Sequence, residues 1–171
     1  MNIILLIALL AFIVWGLTQI WFVSVKGRAP WIPSPKQVRL ALVDSITLDP
    51  GQTFAELGAG SGLVARKLAK KFPTNQIYAY EISYLPFVIG TLMSGHYPNL
   101  NFIRGDIIKA DLSMVDSFYI FTNKQTMDNL AAKLRKHPKP ALLYGYSTQL
   151  PNFEILKTIK TAYHPIYVYK I

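Results

Sequence analysis

The chain contains no cysteine, which excludes disulfides, thiolate nucleophiles and Cys-ligated zinc. Its 3 histidines, His96, His137 and His164, lack the spacing of metal ligands. Each is expected at the surface or in a turn, and no metal is expected. Acids are scarce, 9 against 18 Lys and Arg, for a formal net charge of +9. No internal repeat or low-complexity tract is present. Between Asn2 and Val25 charge is missing altogether, and Ile, Leu, Ala, Val, Phe and Trp dominate.

That uncharged stretch has the length of a membrane span. Some two dozen helical residues extend about 36 Å, against a hydrocarbon core of about 30 Å. A cleaved signal peptide needs a basic leader and a shorter apolar core; nothing basic precedes the run. The expectation is a retained transmembrane anchor over residues 1–25, meeting the bilayer through residues 3–25. Lys26, Arg28, Lys36 and Arg39 follow it closely. The excess of positive charge on that side places the rest of the chain in the cytoplasm, or in the matrix of an organelle. Trp15, Trp21 and Trp31 suit positions near the interfaces, with Trp15 falling deeper in the span. A linker over 26–35, with Pro30, Pro33 and Pro35, cannot continue the helix. Residues 36–171 then form one domain, opening on a helix from Lys36 to Ser45.

The most informative stretch is Glu56-Leu57-Gly58-Ala59-Gly60-Ser61-Gly62. It follows a strand-like run, Thr53 to Ala55, and precedes a helix-like one, Leu63 to Ala69. Glycines at alternate positions suit a sharp strand-to-helix turn on which a ligand lies against bare backbone. Dinucleotide folds use a different spacing, G-x-G-x-x-G, with the helix N-terminus cradling a pyrophosphate. Here a carboxylate stands two residues before the first glycine. It would repel a pyrophosphate and suit a cation.

Further apolar runs alternate with helical ones. Ile77 to Tyr80 ends in Glu81, placed to accept hydrogen bonds from ribose hydroxyls. Leu100 to Arg104 leads into Gly105-Asp106. Ser117 to Phe121 ends at Thr122-Asn123, ahead of a helix from Lys124 to Arg135. Strands are expected at Ala141 to Tyr146, within Glu154 to Thr161, and at Ile166 to Tyr169. Strands alternating with helices imply an α/β fold with a mostly parallel sheet covered on both faces.

The acid-x-G-x-G-x-G pattern resembles motif I of the class I S-adenosylmethionine-dependent methyltransferases. The order of anchor, Trp31-Ile32-Pro33-Ser34-Pro35, motif I, Glu81, Gly105-Asp106 and a β-rich tail resembles a narrower group. That group is the membrane-associated lysine N-methyltransferases of the ATP synthase c-subunit and the adenine nucleotide translocase, with their prokaryotic relatives. The resemblance implies a Rossmann-like sheet and S-adenosylmethionine as cofactor. It implies cofactor contacts from Glu56, Gly58, Ala59, Gly60, Gly62, Glu81, Ile82, Asp106 and Ile107. It also puts Thr122 and Asn123 beside the methyl acceptor. Competing readings stand beside these roles: Asp106 caps residues 107–109, Asn123 or Thr122 caps the following helix, and Trp31 is an interfacial anchor. The chain departs from the narrower group at Leu63-Val64 and at Tyr84-Leu85-Pro86.

The implied activity is methylation of a lysine on a membrane or membrane-proximal protein. A free lysine has a pKa of about 10.4, so presenting it as neutral amine at pH 7 costs about 4.6 kcal/mol. Desolvation lowers that cost, and no strong general base is required. Trp31 or Tyr84 can meet the cationic product face-on. Other acceptors fit the same fold: a lipid, a small hydrophobic molecule or RNA. A non-catalytic cofactor-binding scaffold fits it too. Basic clusters at Arg66 to Lys71 and Lys133 to Lys139 read first as solvated surface, then as membrane surface; a nucleic-acid partner ranks last.

Overall fold

The structure, a computed structural model, describes residues 2–26 and 31–171, with residues 18–26 described as backbone alone. Helix α1 (Ile3–Lys26) precedes α2 (Lys36–Ser45). The domain then runs β1 (Phe54–Leu57), α3 (Leu63–Lys71), β2 (Ile77–Glu81), α4 (Tyr84–Ser94) and β3 (Leu100–Arg104). It continues through β4 (Ser117–Ile120), α5 (Lys124–Leu134), β5 (Leu142–Tyr146), β6 (Ile155–Ile159) and β7 (Ile166–Lys170).

All seven strands join one sheet in the order β3-β2-β1-β4-β5-β7-β6. The first five run parallel. β7 inserts antiparallel between β5 and β6. Strand order reverses between β1 and β4, where Glu56 pairs with Ala79 on one side and Tyr119 on the other. Such a switch point leaves a crevice at the carboxyl ends of the strands.

The core is divided by the sheet. Phe54 and Ile77 pack with Val38 and Leu42 of α2 and Val64 and Leu68 of α3. Ala55 and Leu57 face the other way, onto Met127, Leu130 and Leu134 of α5. This alternation is the period-2 rule of a strand buried on both faces. β1 extends past the expected Ala55 to Leu57, so Glu56 is a central strand residue and not part of the loop. Pro86 is tolerated because it occupies the first turn of α4, where a missing N–H breaks no helical bond.

Two expectations concern the N-terminus. Among the described residues, no helix is long and apolar enough to cross a membrane. The side chains of α1 are described only as far as Leu17. The linker expectation over 26–35 falls partly on residues 27–30, outside the described residues, as do Arg28 and the Trp21 side chain. What is described of α1 is apolar on all sides, with Ile3, Leu5, Ile7, Phe12 and Leu17 each more than half exposed.

The histidine expectation holds only in part. His137 lies in a turn but is half-buried, its ring nitrogens against the carbonyls of Lys139 and Leu112 at 2.7 and 3.0 Å. The basic clusters also include structural members. Lys71 Nζ donates to the carbonyls of Val43 and Ile46 at the end of α2, where a cation meets the negative end of the helix dipole.

Candidate active site

At the switch point lies a cavity of about 330 Å³, within the range of small-molecule sites. The loop from Gly58 to Ser61 forms one wall. Gly58, Gly60 and Gly62 all have left-handed φ, +81°, +56° and +75°, a region glycine enters without strain. A Cβ at Gly58 would meet nothing within 4 Å, whereas one at Gly60 would lie 2.4 Å from the Trp31 indole nitrogen. Gly58 therefore leaves open space, and Gly60 lets Trp31 close against the loop.

The loop spends the N–H groups of Gly58, Ala59, Gly60 and Gly62 inside the protein. Gly58 and Ala59 both donate to the Tyr80 carbonyl, at 2.9 and 2.8 Å. Gly60 donates to Glu81 Oε2 at 2.8 Å, and Gly62 to the Ala59 carbonyl at 2.8 Å. In the first turn of α3, Ala65 donates to Glu56 Oε2 at 2.8 Å. A phosphate cradle needs those donors free. With those donors engaged and the Glu56 side chain already holding Ala65 N at the helix N-terminus, the loop is unsuited to an anion.

The two carboxylates differ in their surroundings. Glu81 Oε1 also accepts from Ser83 N at 2.6 Å, so each oxygen holds one backbone N–H and keeps capacity for more. Glu56 is 5 % exposed. Burial pushes its carboxyl from the ordinary 4.5 up to about 8, against the opposing pull of the Ala65 N–H and of Arg66. It is therefore protonated at neutral pH in the free chain. A cation placed in the cavity would favour its ionised form.

Most expected site residues converge. Glu56, Gly58, Ala59, Gly60, Glu81 and Ile82 line the cavity, and so do Asp106, Ile107 and Thr122. Two do not. Gly62 is the N-cap of α3 in the left-handed conformation, and a Cβ there would lie 2.6 Å from the Phe102 ring. Asn123 caps α5, its side chain accepting from Thr126 N at 2.9 Å. Asp106 lines the cavity, and its Oδ1 accepts from Ile108 N at 3.0 Å, the capping bond weighed for it. Trp31 lines the cavity, while Tyr84 lies outside it under the Arg104 guanidinium, 5.1 Å from the ring centroid.

Several lining residues carried no sequence signal. Arg39, counted above among charges flanking a span, turns into the cavity and donates through Nη1 to the Ser34 carbonyl. Ser34 Oγ in turn lies 2.8 Å from the hydroxyl of buried Tyr119 on β4. The segment 31–34 is thus tied across the site by partners 85 positions apart. Phe121 of the β4 end and Gln125, Thr126 and Asn129 of α5 complete the far wall. Among the described residues, no group of three His, Asp or Glu side chains gathers to hold a metal.

No family model matches the chain. It is 27% identical over 114 residues to malonyl-(acyl-carrier protein) O-methyltransferase of Halalkalibacterium halodurans, covering 61% of this chain and 41% of that protein. It is 34% identical over 73 residues to ribosomal RNA small subunit methyltransferase A of Shouchella clausii, covering 42% of this chain and 23% of that one. The chain thus spans less than half the length of these curated relatives. Among solved structures, an RNA methyltransferase from Salinibacter ruber in complex with S-adenosyl-L-homocysteine matches with a TM-score of 0.72 at 18% identity. That match covers 82% of this chain and 94% of the other. The fold is therefore the Rossmann-like class I S-adenosylmethionine-dependent methyltransferase sheet.

Proposed function

We propose that the chain is an S-adenosylmethionine-dependent methyltransferase, tethered to a membrane through α1, that methylates a lysine of a membrane or membrane-proximal protein. The carrying observation is the pairing of two buried carboxylates, Glu56 and Glu81, around a glycine loop whose N–H groups are already spent. Such a wall suits a cationic ligand bearing hydroxyls, and the curated relatives and the Salinibacter structure are methyltransferases.

When bound, the cofactor supplies a methyl group activated on a sulfonium centre. Glu81 would take the ribose hydroxyls with its remaining lone pairs, and Asp106 the adenine amino group, between Ile82 and Ile107. Glu56 would lose its proton and face the ammonium. Gly58 keeps the wall bare so that the ligand can approach the backbone. At the far end, Thr122 and the uncharged polar groups of α5 would orient the acceptor amine. A dry setting there favours the neutral amine that attacks, and a reach of about 3–3.5 Å supplies much of the acceleration.

The tether reading draws on the apolar exposure of α1 and on the basic residues that follow it; it places the domain in the cytoplasm, or in an organelle's matrix. RNA is the second acceptor reading. It is favoured by the net charge of +9 and by two relatives named as RNA methyltransferases.

The test is calorimetry of S-adenosylmethionine and S-adenosylhomocysteine on the full chain in detergent micelles, beside Gly58→Arg. Micromolar binding that the variant loses is expected. A folded chain that binds neither compound would leave only a scaffold. Labelled-methyl transfer into membrane protein, compared with transfer into RNA, then separates the two acceptors.

A further inference from the structure

Helix α4 is built inside out. Its buried residues are Pro86, Gly90 and Ser94, spaced i, i+4 and i+8 on one stripe. Four of its large apolar side chains point away from the protein, Tyr84 66% exposed, Leu85 47%, Leu92 75% and Met93 50%, while Phe87, Val88 and Ile89 are half-buried. Tyr84, Val88 and Leu92 form the opposite stripe at the same spacing, and no residue of α4 is charged. A helix facing water carries polar residues outward and apolar ones inward. Here the inward stripe is small because the sheet stands too close for anything larger. A Cβ at Gly90 would lie 2.4 Å from the Phe102 ring. Ser94 Oγ is buried there with no partner among the described residues.

The surroundings of this face are cationic. The Arg104 guanidinium lies over the Tyr84 ring. The Phe102 ring that meets Gly90 also meets Gly62, at the start of α3, so both helices cover the same side of the sheet. On α3, Lys67 and Lys70 are exposed. An uncharged apolar stripe with an Arg over the aromatic at one end, on a side of the sheet that also exposes lysines, is how a protein meets an anionic bilayer surface. α1, also apolar and exposed, belongs to the same chain.

We propose that the outer face of α4 lies in the interface of an anionic lipid bilayer, so that the domain is held in one orientation and does not swing freely on α1. Ile82 and Ser83, which lead into α4, line the candidate active site. A bilayer seated on α4 therefore brings the mouth of the cavity close to the membrane surface. This inference adds a second membrane contact to the tether reading and does not depend on the cofactor.

The absence of native cysteine permits single-site labelling of the full chain. Leu92→Cys, Leu10→Cys and, on the far edge of the sheet, Lys157→Cys each receive an environment-sensitive fluorophore. They are placed in vesicles of phosphatidylcholine and phosphatidylglycerol at about 3:1. The L92C label is expected to be quenched by nitroxide-bearing lipid and several-fold less open to iodide than the K157C label. An L92C label as open to iodide as K157C overturns the proposal, because the face is then in water. Shielding from iodide without lipid quenching also overturns it, since protein then covers α4, a second copy included. The L10C label reports the tether separately. Lipid quenching at L10C with L92C in water leaves the tether standing and removes the α4 contact. Lipid quenching at L92C alone does the reverse.

Discussion

The two ends of the cavity are made differently. The end beneath β1 and β2 is built from backbone N–H groups, glycines at positive φ and two buried carboxylates. The end beneath β4 and α5 is built from uncharged side chains, with Arg39, Ser34 and Tyr119 reaching between. The first is specified by main chain and tolerates little. The second is specified by side chains and can change with the acceptor. Fold likeness to methyltransferases of differing acceptors is what this asymmetry leads one to expect.

The sharpest way to break the comparison is Gly58→Arg. With φ at +81°, a non-glycine residue costs roughly 1–2 kcal/mol of backbone strain. Nothing lies within 4 Å of a Cβ built there, and Gly58 lines the cavity, so the new side chain would stand in it. We expect a loss of S-adenosylmethionine affinity of at least about 100-fold, some 2.7 kcal/mol. The thermal midpoint should fall by only several degrees, on the order of 2–8 °C. A variant that binds normally would show that the ligand does not lie on this wall.

Glu81→Ala comes next. It removes the acceptor of both Gly60 N and Ser83 N; each orphaned donor costs about 1–3 kcal/mol where water does not replace the bond. Calorimetry should show affinity reduced roughly 30-fold, about 2 kcal/mol, together with a lowered melting temperature. Normal cofactor binding by the folded variant would remove Glu81 from the ribose role.

Glu56 separates stability from binding by pH. Its native pKa is raised from 4.5 to about 8 by burial. Between those values the folded chain holds a proton that the unfolded chain releases, so stability is full below about pH 4.5 and is lost as pH rises through about 8. Glu56→Gln, which keeps an acceptor for Ala65 N, should melt higher than the parent at pH 8. The gain is on the order of a few kcal/mol, and it should vanish near pH 4.5. Cofactor affinity of the parent should rise with pH toward 8, because the cation then meets a carboxylate already ionised; in the variant that rise should be absent.

The first end of the cavity was also the legible one. Glycines and acids at fixed spacing carry their meaning locally, so Glu56, Gly58, Gly60 and Glu81 could be read from the chain before any packing was known. Alternating apolar runs likewise revealed all seven strands, down to β6 within 154–161. What escaped was tertiary. Arg39, Ser34 and Tyr119 meet only because the segment 31–35 folds back over β4, and no local pattern encodes that return. α4 was legible as a helix, but the outward direction of its apolar stripe depends on Phe102 standing against Gly90.

The smallest expected effect tests the second end. The sequence offers Asn123 as an acceptor-side residue or a helix cap, and its side chain accepts from Thr126 N at 2.9 Å. Losing an N-cap costs about 1 kcal/mol, so Asn123→Ala should lower stability by that amount in a denaturant titration. S-adenosylmethionine affinity should be unchanged, because the cap lies outside the cavity wall. Asn123→Asp, an equally good cap, should restore stability. Thr122, one residue earlier, lines the cavity, and its carbonyl accepts from Thr148 Oγ1 at 3.0 Å. Thr122→Val should therefore lower kcat for the acceptor while leaving both stability and cofactor affinity nearly intact. If instead Asn123→Asp regained stability but not turnover, Asn123 would have a second role at the acceptor. The boundary between the two ends would then lie one residue further along the chain.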